Sequence, residues 1–379
     1  MNRTSIQTIS EIALIVLFLT VIGTPPLVCL LFSDREWWSD TEKRVLASFP
    51  ELPSNVRSLL RFPRQFEDFY NDHFGLRETL IYRYHREMKK RFGQSGVPDV
   101  IVGKDGWYFY TGNLSLDDFR GLMPLTQQQL ISWKKNLVRK RDWLAKQGIH
   151  YLFVMVPNKQ TIYPEYLPDY FQKAKGTTRV EQLMETLKQD RDVEILDLRP
   201  ALLDAKSKGR LYQKTDTHWN DYGAFVGYKE MMHKISQWFP NEQFKFDFYF
   251  YDTLAECPAG DLARMLGLHE TTKEMSPLLK EVHFCAQPME LKLKIEDFSK
   301  TKKPEPSIKG CKDSNLRALV LRDSFFDMIQ PFFSENFQQV VYLWQYYDQK
   351  TIERMIDTLH PHLVIEERVE RFCFRDLKD

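Results

Sequence analysis

The sequence predicts an α/β fold, a doubly wound and mostly parallel sheet, with one transmembrane helix ahead of it. Predicted strands and helices alternate along much of the chain, which is typical of a sheet covered by helices on both faces. The strands are near-continuous apolar runs, as expected when both faces of a sheet are buried. Close to the N-terminus, residues 12–32 are apolar and carry no charge, which predicts a membrane span.

The apolar segment reads IALIVLFLTVIGTPPLVCLLF. At about 1.5 Å per residue, a helix of this length crosses the hydrocarbon core of a bilayer. A cleavable signal peptide is the alternative, but the segment is long for one and no A-x-A-like cleavage site follows it. We therefore predict that residues 1–33 form an uncleaved N-terminal transmembrane anchor.

Residues 34–95 are predicted to form a juxtamembrane linker and helices. The linker is marked by the prolines of FPELPSN at 49–55. Between residues 62 and 92, apolar side chains recur near helical spacing, which predicts one or two helices.

Residues 96–379 are predicted to form the α/β domain. Its first element is VPDVIVGKDGWYFY, where two apolar runs on either side of Asp105-Gly106 predict a β-hairpin. Further strands are predicted at 150–156, 193–196, 318–321, 340–344 and 363–365. Helices are predicted at 126–147, 180–187, 224–232 and 352–359 from the spacing of their apolar residues.

Charge and cysteine content argue against several classes of function. Lys and Arg total 53 against 52 Asp and Glu, so the chain has no basic field that would attract nucleic acid. The five cysteines form no CxxC or Cys/His metal spacing, and we expect neither a metal nor a cofactor. Four of them lie outside the apolar segment, and they either form up to two disulfides or remain free thiols.

Two polar motifs lie beside predicted strands, where α/β sheets bind their ligands. Arg322-Asp323-Ser324-Phe325 directly follows the strand at 318–321, and KTDTHWN, with Asp216 and His218, precedes a helix. A serine nucleophile needs a base to take its proton and a carboxylate to orient that base. Asp216, His218 and Ser324 supply these three groups, so the sequence predicts acyl transfer.

Each motif alone also has a structural interpretation. Asp323 or Ser324 would serve as a helix N-cap, and Asp-x-His-Trp would serve as half of a metal site or as a structural hydrogen bond. The segment Gly260-Asp261-Leu262 is interpreted as a turn with a helix cap, without a catalytic role. The joint presence of both motifs in one α/β sheet favours the catalytic interpretation.

The segments KTDTHWNDYGAF, ALVLRDSFF, VMVPNKQTIYPEYLP, VIVGKDGWYFY and DHFGLRE together resemble the SGNH-hydrolase-like alginate O-acetyltransferase family of the AlgJ and AlgX type. The resemblance covers most of the chain from about residue 65 to 368. It implies an SGNH-hydrolase-like periplasmic domain on a single-pass inner-membrane anchor, with a triad of Asp216, His218 and Ser324. It also implies acetyl transfer to hydroxyls of an exported polysaccharide, with a membrane-bound O-acyltransferase partner that delivers the acetyl group.

The chain departs from the family pattern at Arg322, where glycine commonly precedes the Asp-Ser pair. The amide of Ser324 is expected to donate to the oxyanion, and Asn158 is the candidate for a second donor. Lys159 and Tyr163 follow the strand at 150–156 and are predicted either to line a sugar groove, together with Asn158 and Arg322, or to be packing residues.

The predicted function is O-acetyl transfer to an exported or cell-surface polysaccharide through an acetyl ester on Ser324. A carbohydrate acetylesterase is the alternative enzyme, in which water replaces the sugar hydroxyl as the acceptor. A non-catalytic scaffold of a polysaccharide-export or acetylation complex is the third interpretation, and it is favoured if Arg322 fills the pocket.

Overall fold

A computed structural model describes residues 3–32, 38–39, 44–188, 193–248, 254–277, 284–290 and 305–374. The chain divides into two compact units. The first comprises residues 1–97 and 263–272, and the second comprises 98–262 and 273–379. The predicted three-part division at residues 33 and 95 stays a prediction.

The first unit contains the long apolar helix and the helices that follow it. Its helices are α1 Arg3–Phe32, α2 Val56–Asp72 and α3 Arg77–Phe92. A short antiparallel pair, β1 Trp38–Ser39 and β2 Arg44–Val45, lies between α1 and α2. Within α1, residues Thr8–Cys29 are long and apolar enough to cross a membrane, a test that a signal sequence also passes.

In the described residues, the second unit is built on a sheet of seven strands: β5 His150–Val156, β6 Ile195–Asp197, β9 Gln287–Pro288, β10 Ser307–Gly310, β11 Arg317–Leu321, β12 Gln339–Leu343 and β13 Leu363–Val369. Their order across the sheet is β6-β5-β13-β11-β12-β10-β9. The first five in the sheet order are parallel, as predicted, and β10 and β9 add an antiparallel edge. The described part of this unit also contains two hairpins, β3 Val100–Val102 with β4 Tyr108–Tyr110 and β7 Leu254–Pro258 with β8 Lys273–Pro277.

Helices cover both faces of this sheet. The remaining helices are α4 Ser115–Phe119, α5 Gln127–Ala145, α6 Lys159–Ile162, α7 Asp169–Lys173, α8 Arg179–Leu187, α9 Arg199–Ala205, α10 Asp221–Ser236, α11 Asp261–Met265, α12 Gln330–Ser334 and α13 Gln349–Leu359. Alternate residues of β5 point to opposite faces, so Val154 joins the core beneath α9 and α10, whereas Phe153 joins the core beneath α5, α8 and α13. The predicted doubly wound α/β architecture is confirmed.

Local sequence explains where the main helices begin and end. Thr126 caps α5 by accepting a hydrogen bond from the amide of Gln129, whose side chain accepts from the amide of Thr126 in return. Gly148, two residues before β5, adopts a left-handed φ of 73°, which favours glycine. Asn220 caps α10 through the amide of Gly223, and this cap fixes the loop that carries His218.

Neither the full length of β13 nor a specific disulfide of this unit was predicted. Strand β13 continues four residues past the predicted end at 365, because Glu366 is buried with partners: Lys140 Nζ lies 2.7 Å from Glu366 Oε2 and the Tyr151 hydroxyl donates to the same oxygen. Cys285 and Cys311 form a disulfide, which settles one of the pairings that the sequence left open. Cys257 and Cys373 are free.

Candidate active site

Ser324 lies immediately past the carboxyl end of β11. Strand β11 ends at Leu321, and Ser324 is the first residue of a short 3₁₀ helix, Ser324–Met328. The cap of that helix is Asp323, whose Oδ1 accepts from the Phe325 amide at 2.9 Å while its Oδ2 accepts from the Val369 amide at 2.8 Å. The capping interpretation therefore holds for Asp323, and the hydroxyl of Ser324 is left to face His218.

The structure brings Asp216, His218 and Ser324 together. His218 Nε2 lies 2.7 Å from Ser324 Oγ across a sequence separation of 106 residues, and His218 Nδ1 lies 2.6 Å from Asp216 Oδ1. Asp216 Oδ1 also accepts from the backbone amide of His218 at 2.9 Å, which fixes the carboxylate against the ring. The order carboxylate, imidazole, hydroxyl is the arrangement that a serine nucleophile requires.

The charges and hydrogen bonds around Asp216 and His218 suit His218 for the role of general base. Burial opposes ionisation of Asp216, but the hydrogen bond and charge of His218 outweigh it and hold the pKa of Asp216 below its usual range. Burial also disfavours the imidazolium, yet the hydrogen bond and charge of Asp216 raise the pKa of His218 above 6.5. An ionised Asp216 accepts the proton on Nδ1, which leaves the lone pair of Nε2 facing Ser324.

A second carboxylate, Asp261, supports the loop of the first, and the sequence interpretation missed it. Asp261 Oδ1 accepts from the Thr217 amide at 2.7 Å, and its Oδ2 accepts from Thr217 Oγ1 at 2.6 Å. The amide of Asp261 donates to Asp216 Oδ2 at 2.8 Å. Burial, together with the charge of Asp216, raises the pKa of Asp261. Asp261 is thus a positioning residue for the Asp216–His218 segment.

Gly260 is the sequence signal that was available for this contact. A Cβ atom at Gly260 would lie 2.3 Å from Asp216 Cβ and 2.7 Å from the Asp216 backbone nitrogen, so only glycine allows this approach. Ligand atoms of Asp216, His218 and Asp261 all lie within 4.8 Å of one another, close enough to hold a metal ion. The hydrogen bonds described above account for this proximity.

Lys159 and Tyr163 contact the protein rather than a groove. The buried ammonium of Lys159 donates to the backbone carbonyls of Gln213, Lys214 and Asp216 at 3.0, 3.1 and 2.6 Å. Burial lowers its pKa to about 7, although nearby carboxylates oppose the shift. The Tyr163 hydroxyl accepts from the Leu211 amide at 2.9 Å. Both side chains therefore hold the loop that carries Asp216, which is the packing alternative, and we do not carry forward sugar contacts for them.

Asn158 is buried beside the end of β5. Its amide donates to Glu370 Oε2 at 2.9 Å, and its side-chain oxygen accepts from Arg371 Nη1 at 3.0 Å. The guanidinium of Arg371 lies 5.4 Å from the ring of Phe325, the residue that follows Ser324. A role of Asn158 as the second oxyanion donor stays a prediction.

Arg322 is held beside the site by other partners. Its Nη1 lies 2.7 Å from Asp327 Oδ1, and its guanidinium carbon lies 4.7 Å from the ring of Trp344. The side chain is buried, and Ser324 keeps its hydrogen bond to His218. Arg322 thus does not separate the nucleophile from its base. Its predicted contact with substrate stays a prediction.

Comparison with known proteins agrees with the family that the motifs predict. A family described as "SGNH hydrolase-like domain, acetyltransferase AlgX" matches residues 100–298, which is more than half of the chain. The match includes Asp216 and His218 and ends before Ser324.

Several curated relatives carry the name "Probable alginate O-acetylase AlgJ". The protein of Azotobacter vinelandii is 27% identical over 165 residues, which cover 42% of this chain and 39% of that protein. The protein of Pseudomonas aeruginosa is 31% identical over 138 residues, which cover 34% of this chain and 31% of that protein. The chain therefore spans between about a third and two fifths of the length of these two relatives.

Solved structures with a similar fold include the O-acetyltransferase domain of Pseudomonas putida AlgJ, with 20% identity, a TM-score of 0.45, and coverage of 74% of this chain and 94% of that one. Bacillus cereus PatB1 has 16% identity, a TM-score of 0.47, and coverage of 72% of this chain and 96% of that one. Both TM-scores are below 0.5. On the match over residues 100–298, the chain belongs to the family of SGNH hydrolase-like domains of the acetyltransferase AlgX type.

Proposed function

We propose that the chain is a serine-dependent O-acetyltransferase that moves an acetyl group onto hydroxyls of an exported or cell-surface polysaccharide. The observation that carries this proposal is the hydrogen-bonded series Asp216, His218, Ser324, with both ring nitrogens of His218 within 2.7 Å of a partner. Membership of an acetyltransferase family and relatives named alginate O-acetylase support the group transferred and the class of acceptor.

The first half-reaction acetylates Ser324. Ser324 Oγ attacks the acetyl carbonyl of the donor while His218 Nε2 takes the hydroxyl proton, and Asp216 stabilises the imidazolium that forms. The Ser324 amide donates to the oxyanion of the tetrahedral intermediate. The donor's leaving group then departs with the proton from Nε2, and Ser324 carries an acetyl ester.

The second half-reaction transfers the acetyl group from Ser324 to the acceptor and uses the same catalytic groups. A sugar hydroxyl gives its proton to His218 Nε2 as its oxygen attacks the acetyl carbonyl, and Ser324 Oγ leaves and recovers that proton. Water would react in the same way, and the side chain of His218 is 25% exposed, so hydrolysis is the competing outcome. The choice between transferase and esterase depends on which acceptor reaches the ester first.

The compartment and the partner are part of the proposal. The disulfide Cys285–Cys311 favours an oxidising compartment outside the cytoplasm. The apolar span in α1 suits a single-pass anchor in the inner membrane. A site outside the cytoplasm is separated by the membrane from acetyl donors in the cytoplasm. We therefore propose that a membrane-bound O-acyltransferase supplies the acetyl group.

To test the function, the purified protein is incubated with an activated acetyl ester and oligosaccharide acceptors, and acetylated sugar and free acetate are both measured. Acetylated sugar in excess of free acetate, absent in the Ser324→Ala variant, supports the transferase. Free acetate alone, with every acceptor unmodified, contradicts it and favours the esterase. If the folded wild type forms neither acetylated sugar nor free acetate, the result favours a scaffold.

The rate should fall as the pH is lowered through a pKa above 6.5. Protonated His218 has no lone pair on Nε2 to accept the proton of Ser324, and Asp216 raises the pKa at which this proton binds. The measurement is kcat/KM for an activated acetyl ester against pH. An acid limb centred below 6.5 would contradict the coupling of His218 to Asp216.

A further inference from the structure

We propose that α2 lies in the plane of the membrane surface, with one face in the lipid of the bilayer that α1 enters. The proposal concerns the first unit alone and does not depend on the proposed chemistry. The apolar face of α2 consists of Val56, Leu59, Leu60, Phe62, Pro63, Phe66, Phe69 and Tyr70. At 100° per residue these eight positions fall within one half of the helix, in which Glu67 is the one charged residue, and none of the residues of α2 is buried.

The apolar face of α2 is open to a degree that is unusual for a protein surrounded by water. Val56 is 74% exposed and Leu60 is 77% exposed, and Leu52, just ahead of the helix, is 80% exposed. Contiguous apolar surface of this kind marks a site of interaction with a membrane or a partner. The rings of Phe62, Phe66 and Tyr70 are successive neighbours along the face, with centroids 6.2 and 6.5 Å apart.

The position of α2 beside the anchor favours lipid as the partner that contacts its apolar face. A Cβ atom on Gly75, in the turn between α2 and α3, would lie 2.1 Å from the Pro25 carbonyl oxygen and 2.9 Å from the Cys29 nitrogen. This turn therefore touches the backbone of the last turns of the span Thr8–Cys29. If the span crosses the bilayer, the C-terminal end of α2 is held at the level where the span leaves it.

The three arginines in the N-terminal part of α2 fit a lipid surface as well, whereas the acidic residues of the polar face, Asp68 and Asp72, lie in its C-terminal part. Arg57, Arg61 and Arg64 are exposed on the polar half of the helix, in the part that lies farthest from the Gly75 turn. Basic residues on the polar face of an amphipathic helix attract anionic headgroups while the apolar face enters the acyl boundary. The same unit supplies both the span and this second contact, so lipid is the occupant to which the proposal commits.

The test compares two adjacent positions on opposite faces of α2. The three free cysteines, Cys29, Cys257 and Cys373, are replaced by alanine, and a polarity-sensitive fluorophore is attached at Leu60→Cys or, as the matched control, at Arg61→Cys. The full chain is reconstituted in vesicles of phosphatidylethanolamine and phosphatidylglycerol. Lipids with a nitroxide near the headgroup probe contact with lipid, and aqueous iodide probes contact with water.

We expect the nitroxide lipids to quench the probe at position 60 several-fold more strongly than the probe at 61, and iodide to show the reverse order. Equal quenching of both positions by iodide would overturn the proposal, because the apolar face would then lie in water. Protection of position 60 from iodide without quenching by nitroxide lipids would also overturn it. In that case a second copy of the chain covers the face instead of lipid.

Discussion

Asp216→Asn is expected to lower the turnover number by about 10⁴-fold, because an amide in place of the carboxylate changes the tautomer of the catalytic histidine. The carboxylate of Asp216 lies 2.6 Å from His218 Nδ1 and accepts its proton. The amide nitrogen of asparagine would instead donate to Nδ1, so the proton of the ring would sit on Nε2, where it blocks transfer from Ser324. The measurement is kcat for acetyl transfer, with circular dichroism to verify folding.

Asp261→Asn is the matched control for this prediction, since it makes the same chemical change in the second carboxylate of the site. Asp261 Oδ2 lies 4.0 Å from His218 Nδ1 and accepts from Thr217 at 2.6 Å. The side-chain oxygen of asparagine still accepts from Thr217, so we expect a loss within about tenfold, the size of one weakened hydrogen bond. Equal losses in the two variants, or a larger loss in Asp261→Asn, would show that His218 is oriented by Asp261.

Lys159→Met should destabilise the second unit and misplace its catalytic loop. Methionine keeps the apolar stem of lysine and removes the ammonium, which leaves the partly buried carbonyls of Gln213, Lys214 and Asp216 without this donor. We expect the free energy of unfolding to fall by roughly 3 kcal/mol, the size of lost hydrogen bonds to a buried charge. We also expect kcat to fall on the order of 10²-fold in the folded fraction, because small displacements of catalytic groups are costly.

Lys206→Met is the control for the lysine substitution. Lys206 Nζ also donates to a backbone carbonyl, that of Ile162 at 2.7 Å, but its side chain is 28% exposed and pairs with Glu165. Chemical denaturation should show a loss of about 1 kcal/mol or less, as for an exposed ion pair, with kcat unchanged. A full-rate, fully stable Lys159→Met variant would show that the ammonium does not hold the loop.

The fold could be predicted from the sequence wherever burial leaves a local pattern. Strand β5 is apolar along nearly its whole length and was predicted with the bounds that the structure gives. Strand β13 was predicted too short because Glu366 interrupts its apolar run, and the partner that allows its burial, Lys140, lies 226 residues away. Local patterns carry no information about such distant partners, which is also why the disulfide Cys285–Cys311 was left open.

The site could be predicted where the role of a residue follows from its type and its neighbours in the sequence. Asp216, His218 and Ser324 were proposed from two motifs and a family resemblance, and the structure places them within hydrogen-bond distance. For Lys159 the prediction left two alternatives open, a sugar groove or packing, because the sequence does not tell on which side of a loop a lysine packs. Asp261 was missed because the available signal, Gly260, is equally typical of an ordinary turn and does not show by itself that the turn approaches Asp216.

The most direct test of the central claim is peptide mass analysis after the wild-type protein is incubated with an activated acetyl ester and the reaction is stopped in acid. We predict one acetyl group on the peptide that contains Ser324, absent in Ser324→Ala and in His218→Ala, and lost from the wild type when an acceptor sugar is added. An unmodified Ser324 in a folded wild type that nevertheless transfers acetyl would contradict the acetyl-serine intermediate. The same acetylation in His218→Ala would contradict the role of His218 as the base.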